Sequence, residues 1–445
     1  MTVVRTNASF GGASWAMRVA MGLALALAIG ASVIRGGNRS VPLVGLEWLA
    51  LGILALMGSA GLLAGRWPGG WGKPGSAGRW GLVLLALFPL GLAALSGLGS
   101  PNPMPLANWA GGLGALPVVA MLAIGVSASP AQTRALWLTW LSVALVQALL
   151  GFLQLGGLDG LRFDMAPGEK LIGSFASKNT YSNFMVMAIP LAVFGLLAPQ
   201  AREGQRNRPW LWGAALFVLL AAISMSTSRT GIATGLLSVV LSVALLAPAR
   251  QAAGAEKRRG SGRRWLWLGA AALIAAVALA GGLDWVDRFD SAVVLADDAR
   301  RGLMREATWQ GAMAYWPWGS GLGSYRWVFP PFHPSELGNY LIDMAHNDYL
   351  QLMMELGIGF VLMAALALAL VARRVWALWA EARRRRGKGW CEADRLAVAC
   401  GLGALATALH ALVDYPFHIP ANAMFAAFLL GVFLREPLKS THEAG

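Results

Sequence analysis

Several polar stretches in an otherwise apolar chain carry residue types suited to chemistry on an anion. Gly173-Ser-Phe-Ala-Ser-Lys178-Asn179 puts a cation and an amide where an apolar run begins. Backbone N–H groups and the helix dipole at such a start favour negative charge. The competing reading is an interfacial cap with a snorkelling Lys178. Ser226-Thr-Ser-Arg229-Thr-Gly231 turns between two apolar runs with almost no loop. A guanidinium so near hydrocarbon must be solvated or paired. Its fork of donors suits a phosphate; the alternative is a structural Arg229 bridging carbonyls or an acid. Further on, Arg288, Arg300, Arg301, Arg305 and Arg326 lie among Trp285, Trp309, Trp316, Trp318, Tyr325, Trp327 and Phe329. Arginines beside flat rings suit a sugar phosphate, although such rings also lay a segment on a membrane surface. The Gly-rich turn Trp316-Pro-Trp-Gly-Ser-Gly-Leu-Gly-Ser-Tyr325 lacks the Gly-Lys-Ser/Thr of a phosphate-binding loop and follows no predicted strand, so nucleotide binding is rejected.

His346-Asn-Asp348-Tyr349-Leu-Gln351 stands where the chain is predicted to re-enter the membrane. His346 could take a proton from a hydroxyl, with Asp348 or a more distant acid to orient it. A structural histidine is the plainer reading. His410 and Asp414 are four apart and share a helical face if the helix reaches that far. Pro416 ends any helix before His418 can join them. No third ligand has a spacing that supports zinc, and no metal or cofactor is expected. Asp414 at the end of a span calls for an Arg or His partner.

The elements that must position these residues are membrane helices. Of 445 residues, 57% are hydrophobic and 13% charged, with mean hydropathy +0.56. That is about half the charge of a soluble domain, roughly 25%, and disorder needs the opposite composition. A single all-α integral membrane domain over 1–445 is expected. About twelve stretches have roughly the 20 apolar residues a span needs. They run near 17–34, 41–64, 80–98, 109–126, 135–155, 179–197, 209–225, 231–248, 265–283, 349–372, 396–412 and 421–434. One long loop, 284–348, joins the ninth and tenth and is expected to cover the site.

A net charge of +14 could suggest nucleic acid, but its distribution does not. Alternate loops are basic, as at Arg66/Lys73/Arg79, Arg202/Arg206/Arg208, Lys257 to Arg264 and Arg373 to Lys388. Placing these inside gives the positive-inside pattern, with both termini cytoplasmic. Trp48, Trp80, Trp210 and Trp265 near span ends read as an interfacial belt. Cys391 and Cys400 offer neither a disulfide framework nor a metal cluster. On this topology Arg229, Arg305, His346 and Asp414, from four separate segments, meet on the outer face.

In order and spacing these motifs resemble the O-antigen ligase / O-antigen polymerase (Wzy-C) superfamily, over roughly Gly173 to Leu434. The parts that carry the resemblance are Gly-Ser-Phe…Lys178-Asn179, Ser-Arg229-Thr-Gly, Arg305…Trp309, Pro317-Trp-Gly-Ser-Gly-Leu-Gly, His346-Asn-Asp-Tyr-Leu-Gln…Glu355-Leu-Gly and Val413-Asp-Tyr-Pro. The first five spans carry little of it. The resemblance implies a metal-independent, GT-C-like membrane glycosyltransferase of the bacterial inner membrane. Such enzymes take a glycan from undecaprenyl diphosphate at the periplasmic face. A ligase moves it to lipid A–core, a polymerase to another carrier-linked repeat; the ligase is the preferred expectation. The family's essential set falls on Arg229, Arg305, His346 and Asp414: two arginines to clamp the diphosphate, a base, and an acid to hold it. Lys178, Asn179, Arg288, Arg301, Arg326 and Tyr349 are the candidates for substrate binding. Partners are then the lipid-linked donor, the glycan or lipid A–core acceptor and membrane lipids, with no nucleic acid. A transporter of lipid-linked sugar is the more distant alternative, disfavoured by spans nearly clean of charge at mid-membrane.

Overall fold

A computed structural model describes residues 7–33, 46–57, 91, 114–156, 171–197, 208–247, 291–385 and 390–435, apart from Trp48 and Ala176. The described residues are helical, with no strand among them. The helices are α1 (Asn7–Val33), α2 (Leu116–Ser127), α3 (Pro130–Leu155), α4 (Lys178–Leu196), α5 (Pro209–Met225) and α6 (Arg229–Leu246). After them come α7 (Ser291–Ala314), α8 (Asp348–Leu356), α9 (Ile358–Arg384), α10 (Glu392–His410) and α11 (Pro420–Leu434). Within the described residues, Trp15–Ser32 of α1 and helices α3, α4, α6 and α9 are long and apolar enough to cross a membrane, while α2, α5 and α11 are shorter apolar helices. The predicted span at 265–283 and nearly all of that at 80–98 lie outside the described residues, as do Arg288, Trp48, Trp80 and Trp265.

Helix α4 is the hub. It is buried on every side from Thr180 to Gly195 and packs against α3, α5, α6, α10 and α11. Trp140, Phe184 and Phe425, from α3, α4 and α11, form its aromatic centre, with Trp140 stacked on Phe425 at 4.7 Å. Helices α2 and α11 approach closely because Gly125 and Gly431 face each other, where a Cβ would meet the opposite backbone. Small residues let helix backbones touch in this way.

The bundle has two chemically different ends. Lys178 and Arg229 open α4 and α6 at one end, where α10 also finishes at His410. At the other end, Arg395 donates to the carbonyls of Leu197 and Leu246, the C-terminal ends of α4 and α6. There too Arg435 donates to Ala128 O and Thr133 Oγ1, and Arg374 to Phe433 O. Cationic side chains thus cap the bare carbonyls of helix C-termini.

Two expectations about the elements need correction. The 284–348 segment is not loop throughout. Residues 291–314 form α7, on which Met304, Ala307 and Ala312 pack with Tyr325, Phe329, Ile342 and Met354 in a second small core. The 349–372 span is not one helix either. It breaks at Gly357, whose φ of 55° suits glycine and whose missing side chain admits the Pro317 carbonyl. Beyond the break, α9 continues to Arg384 through residues expected in a loop: Arg373, Arg383 and Arg384 are exposed, while Arg374 is buried on Phe433 O.

Candidate functional site

Two helix starts define the site. Ser177 caps α4 by accepting from Thr180 N at 3.3 Å, and Ser228 caps α6 by accepting from Gly231 N at 3.2 Å. The starts are locked side by side. Ser228 Oγ donates to Asn179 Oδ1 at 2.8 Å, and Ser182 Oγ lies 2.7 Å from Ser226 Oγ. Gly231 allows this, since a Cβ there would strike Ser182. Lys178 and Arg229 therefore stand at neighbouring N-termini, where backbone N–H groups and dipoles add to their charge.

These residues line a small open cleft with Asn179, Thr227, Thr230, Asp297 and Arg301. Asp297 of α7 takes an Arg229 N–H at 2.8 Å, so a carboxylate already sits on that guanidinium. Arg301, one turn on, faces the cleft and donates through Nη1 to the Val413 carbonyl at 3.1 Å. Val413 precedes Asp414, so Arg301 joins the cationic cleft to the next group of residues.

That group is a histidine and an aspartate 68 positions apart. His346 Nδ1 is 3.2 Å from Asp414 Oδ1, and the imidazole lies edge-on to Tyr415. Asp414 is buried and also accepts from Tyr415 N at 3.0 Å. Burial alone would raise the Asp414 carboxyl, but the His346 hydrogen bond and the nearby His346, His410 and Arg301 charges hold it below its ordinary value. An ionised Asp414 carboxylate can only accept, so Nδ1 donates the hydrogen bond to it, and Nε2 is the ring nitrogen turned away from Asp414. His346 reaches this place with a φ of 51°, rare for a residue with a side chain.

The remaining candidates are placed less centrally. Arg305 is half-buried one turn beyond Arg301 on α7 and makes no hydrogen bond or ion pair among the described residues. Arg300 is exposed, and Arg326 is exposed beside the Trp327 ring at 5.5 Å. Tyr349 commits its hydroxyl to Ala408 O at 2.7 Å. Asp348 does not orient His346; its carboxylate binds His418 and accepts from Phe417 N at 2.7 Å. Helix α10 ends at His410, so Asp414 is reached through a turn in which its N–H donates to His410 O at 3.1 Å. The buried contact of His418 with Asp348 and Glu355 was missed from sequence. Its signal was the four acidic or imidazole groups packed into the two motifs 346–355 and 414–418 beside Asp414.

A multi-helix bundle thus presents an arginine-lined cleft and a histidine–carboxylate pair at one end. Residues 214–364 match the family model described as O-antigen ligase. The match includes Arg229, Arg301, Arg305 and His346, but neither Lys178 nor Asp414, which the fold brings in from outside it. No curated protein matches the chain.

Proposed function

We propose that this protein is an inverting, metal-independent O-antigen ligase. It moves a glycan from undecaprenyl diphosphate to a sugar of lipid A–core at the periplasmic face of a bacterial inner membrane. About twelve spans of roughly 20 residues would form its GT-C-like body. The observation that carries the reading is Arg301, which lines the Arg229 cleft and holds the backbone beside Asp414. Cation clamp and base are thereby next to each other.

A carrier diphosphate departs readily from the sugar once its charge is neutralised. Lys178, Arg229 and Arg301 would bind the diphosphate oxygens, with Arg305 completing the clamp as the donor enters. His346 Nε2 would take the proton of the acceptor hydroxyl while Asp414 holds the ring through Nδ1. The acceptor oxygen bonds to the anomeric carbon, the carbon–oxygen bond to phosphate breaks, and undecaprenyl diphosphate leaves with the electron pair. Attack from the opposite side inverts the anomeric centre.

The test offers purified protein a carrier-linked glycan together with lipid A–core and a second carrier-linked glycan. The expected product is lipid A–core bearing glycan with inverted anomeric configuration, formed equally in the presence of chelator. A lengthened carrier-linked glycan beside unmodified lipid A–core would make the protein a polymerase instead. Passage of labelled donor across vesicles with no bond change would make it a transporter. Activity lost on chelation and restored by a divalent ion would overturn metal independence.

A further inference from the structure

His418 has no part in the transfer step above, yet it is held between two buried carboxylates. Its Nδ1 is hydrogen-bonded to Asp348 Oδ1, and its Nε2 lies 3.8 Å from Glu355 Oε2. Burial opposes a charge on this ring, but Asp348 and Glu355 outweigh it and push the imidazole up to about 10. At neutral pH the ring keeps its proton between the two carboxyl groups.

Each carboxylate holds a different piece of backbone. Glu355 accepts from Gly323 N at 2.9 Å and Tyr325 N at 3.2 Å, fixing the Gly-rich turn. Asp348 accepts from Phe417 N, and its own N–H donates to the carbonyls of Ala411 at 3.0 Å and Asp414 at 3.2 Å. His418 thus ties the Gly-rich turn, the start of α8 and the 411–419 turn together. His346 stands two residues before Asp348 in its left-handed conformation, which persists only where the surroundings over-determine it. Its neighbours are held from the same side: Ala345 N donates to Gln351 Oε1 at 3.0 Å, Gln351 Nε2 to Glu355 Oε1 at 3.3 Å, and Asn347 Nδ2 to Leu412 O at 2.9 Å.

We infer that His418, clamped by Asp348 and Glu355, is a positioning residue that keeps His346 on Asp414 with Nε2 aimed at the acceptor hydroxyl. It touches neither donor nor acceptor. The inference deepens the proposed function and rests on it for its kinetic consequences.

The chain has five histidines, few enough for histidine-selective NMR of the full-length protein in detergent. The His346 resonance is assigned by its loss in His346→Gln. In His418→Gln that resonance is expected to shift or broaden, while kcat falls at least tenfold and the donor KM stays unchanged. Asp348→Asn should lower kcat similarly, and the double variant should lose no more than the worse single one. Should His418→Gln fail to fold, Glu355→Gln is read in the same way. An unmoved His346 resonance, an unchanged kcat, or losses that multiply in the double variant would overturn the inference. Absence of transfer by the wild-type protein would instead count against the proposed function, leaving the NMR comparison to decide the positioning.

Discussion

Arg229 is paired with Asp297 at 2.8 Å, so a donor phosphate reaching this guanidinium must displace a carboxylate or share the cation with it. Both side chains are partly exposed, and such a pair is worth up to about 1 kcal/mol. Asp297→Asn should therefore lower the donor KM by about threefold to fivefold with kcat little changed, given that limit on the pair. Steady-state kinetics with varied carrier-linked donor checks this; a raised KM would mean that Asp297 helps to hold the donor. Individual residues were unevenly legible. The placement of Lys178 and Arg229 at helix starts could be read, because each stands where an apolar run begins. The His346–Asp414 bond was legible only as one option among several: Asp414 called for an Arg or His partner and His346 for Asp348 or a more distant acid, and only the fold joins these positions 68 apart. Arg301 was one of several arginines until α7 gave it a direction.

At the scale of elements, the short α8 and the 411–419 turn combine apolar burial with buried ionisable groups. The ring of His418 is raised from the ordinary 6.5 to about 10. It binds its proton more tightly in the folded protein than in the unfolded chain, so its contribution to stability is complete below 6.5 and is lost as pH rises through about 10. The gap in thermal unfolding midpoint between wild type and His418→Gln should be widest near pH 6 and close above pH 10, on the same linkage. A gap that widens with rising pH would contradict a protonated His418. Helix α7 shows why this layer was hard to read. Met304, Ala307, Thr308 and Ala312 have helical spacing, but the arginines and tryptophans between them dilute the apolar pattern. The break at Gly357 was hidden for the opposite reason, since apolar residues run on both sides of it.

For the whole molecule, the two ends of the bundle do different work. Arg395 closes the far end by satisfying the last carbonyls of α4 and α6. Removing it leaves buried carbonyls unpaired, at about 1–3 kcal/mol each. Arg395→Ala should lower the thermal unfolding midpoint in detergent by several degrees, while transfer per folded molecule is retained. Loss of transfer from protein that is still folded would mean that the ends are coupled.

The site itself rests on long-range assembly: α4, α6, α7, α8 and the 411–419 turn each supply part of it. The most direct test is a single-turnover reaction with carrier-linked glycan and lipid A–core. It measures free undecaprenyl diphosphate and glycosylated acceptor together for wild type, Arg229→Ala, Arg301→Ala and His346→Ala. The expected result is equimolar formation of both products by wild type, with each variant slower by roughly 10²–10³-fold. Rates near wild type in the arginine and histidine variants, all folded, would contradict the assignment of this cleft as the place where the sugar leaves its phosphate.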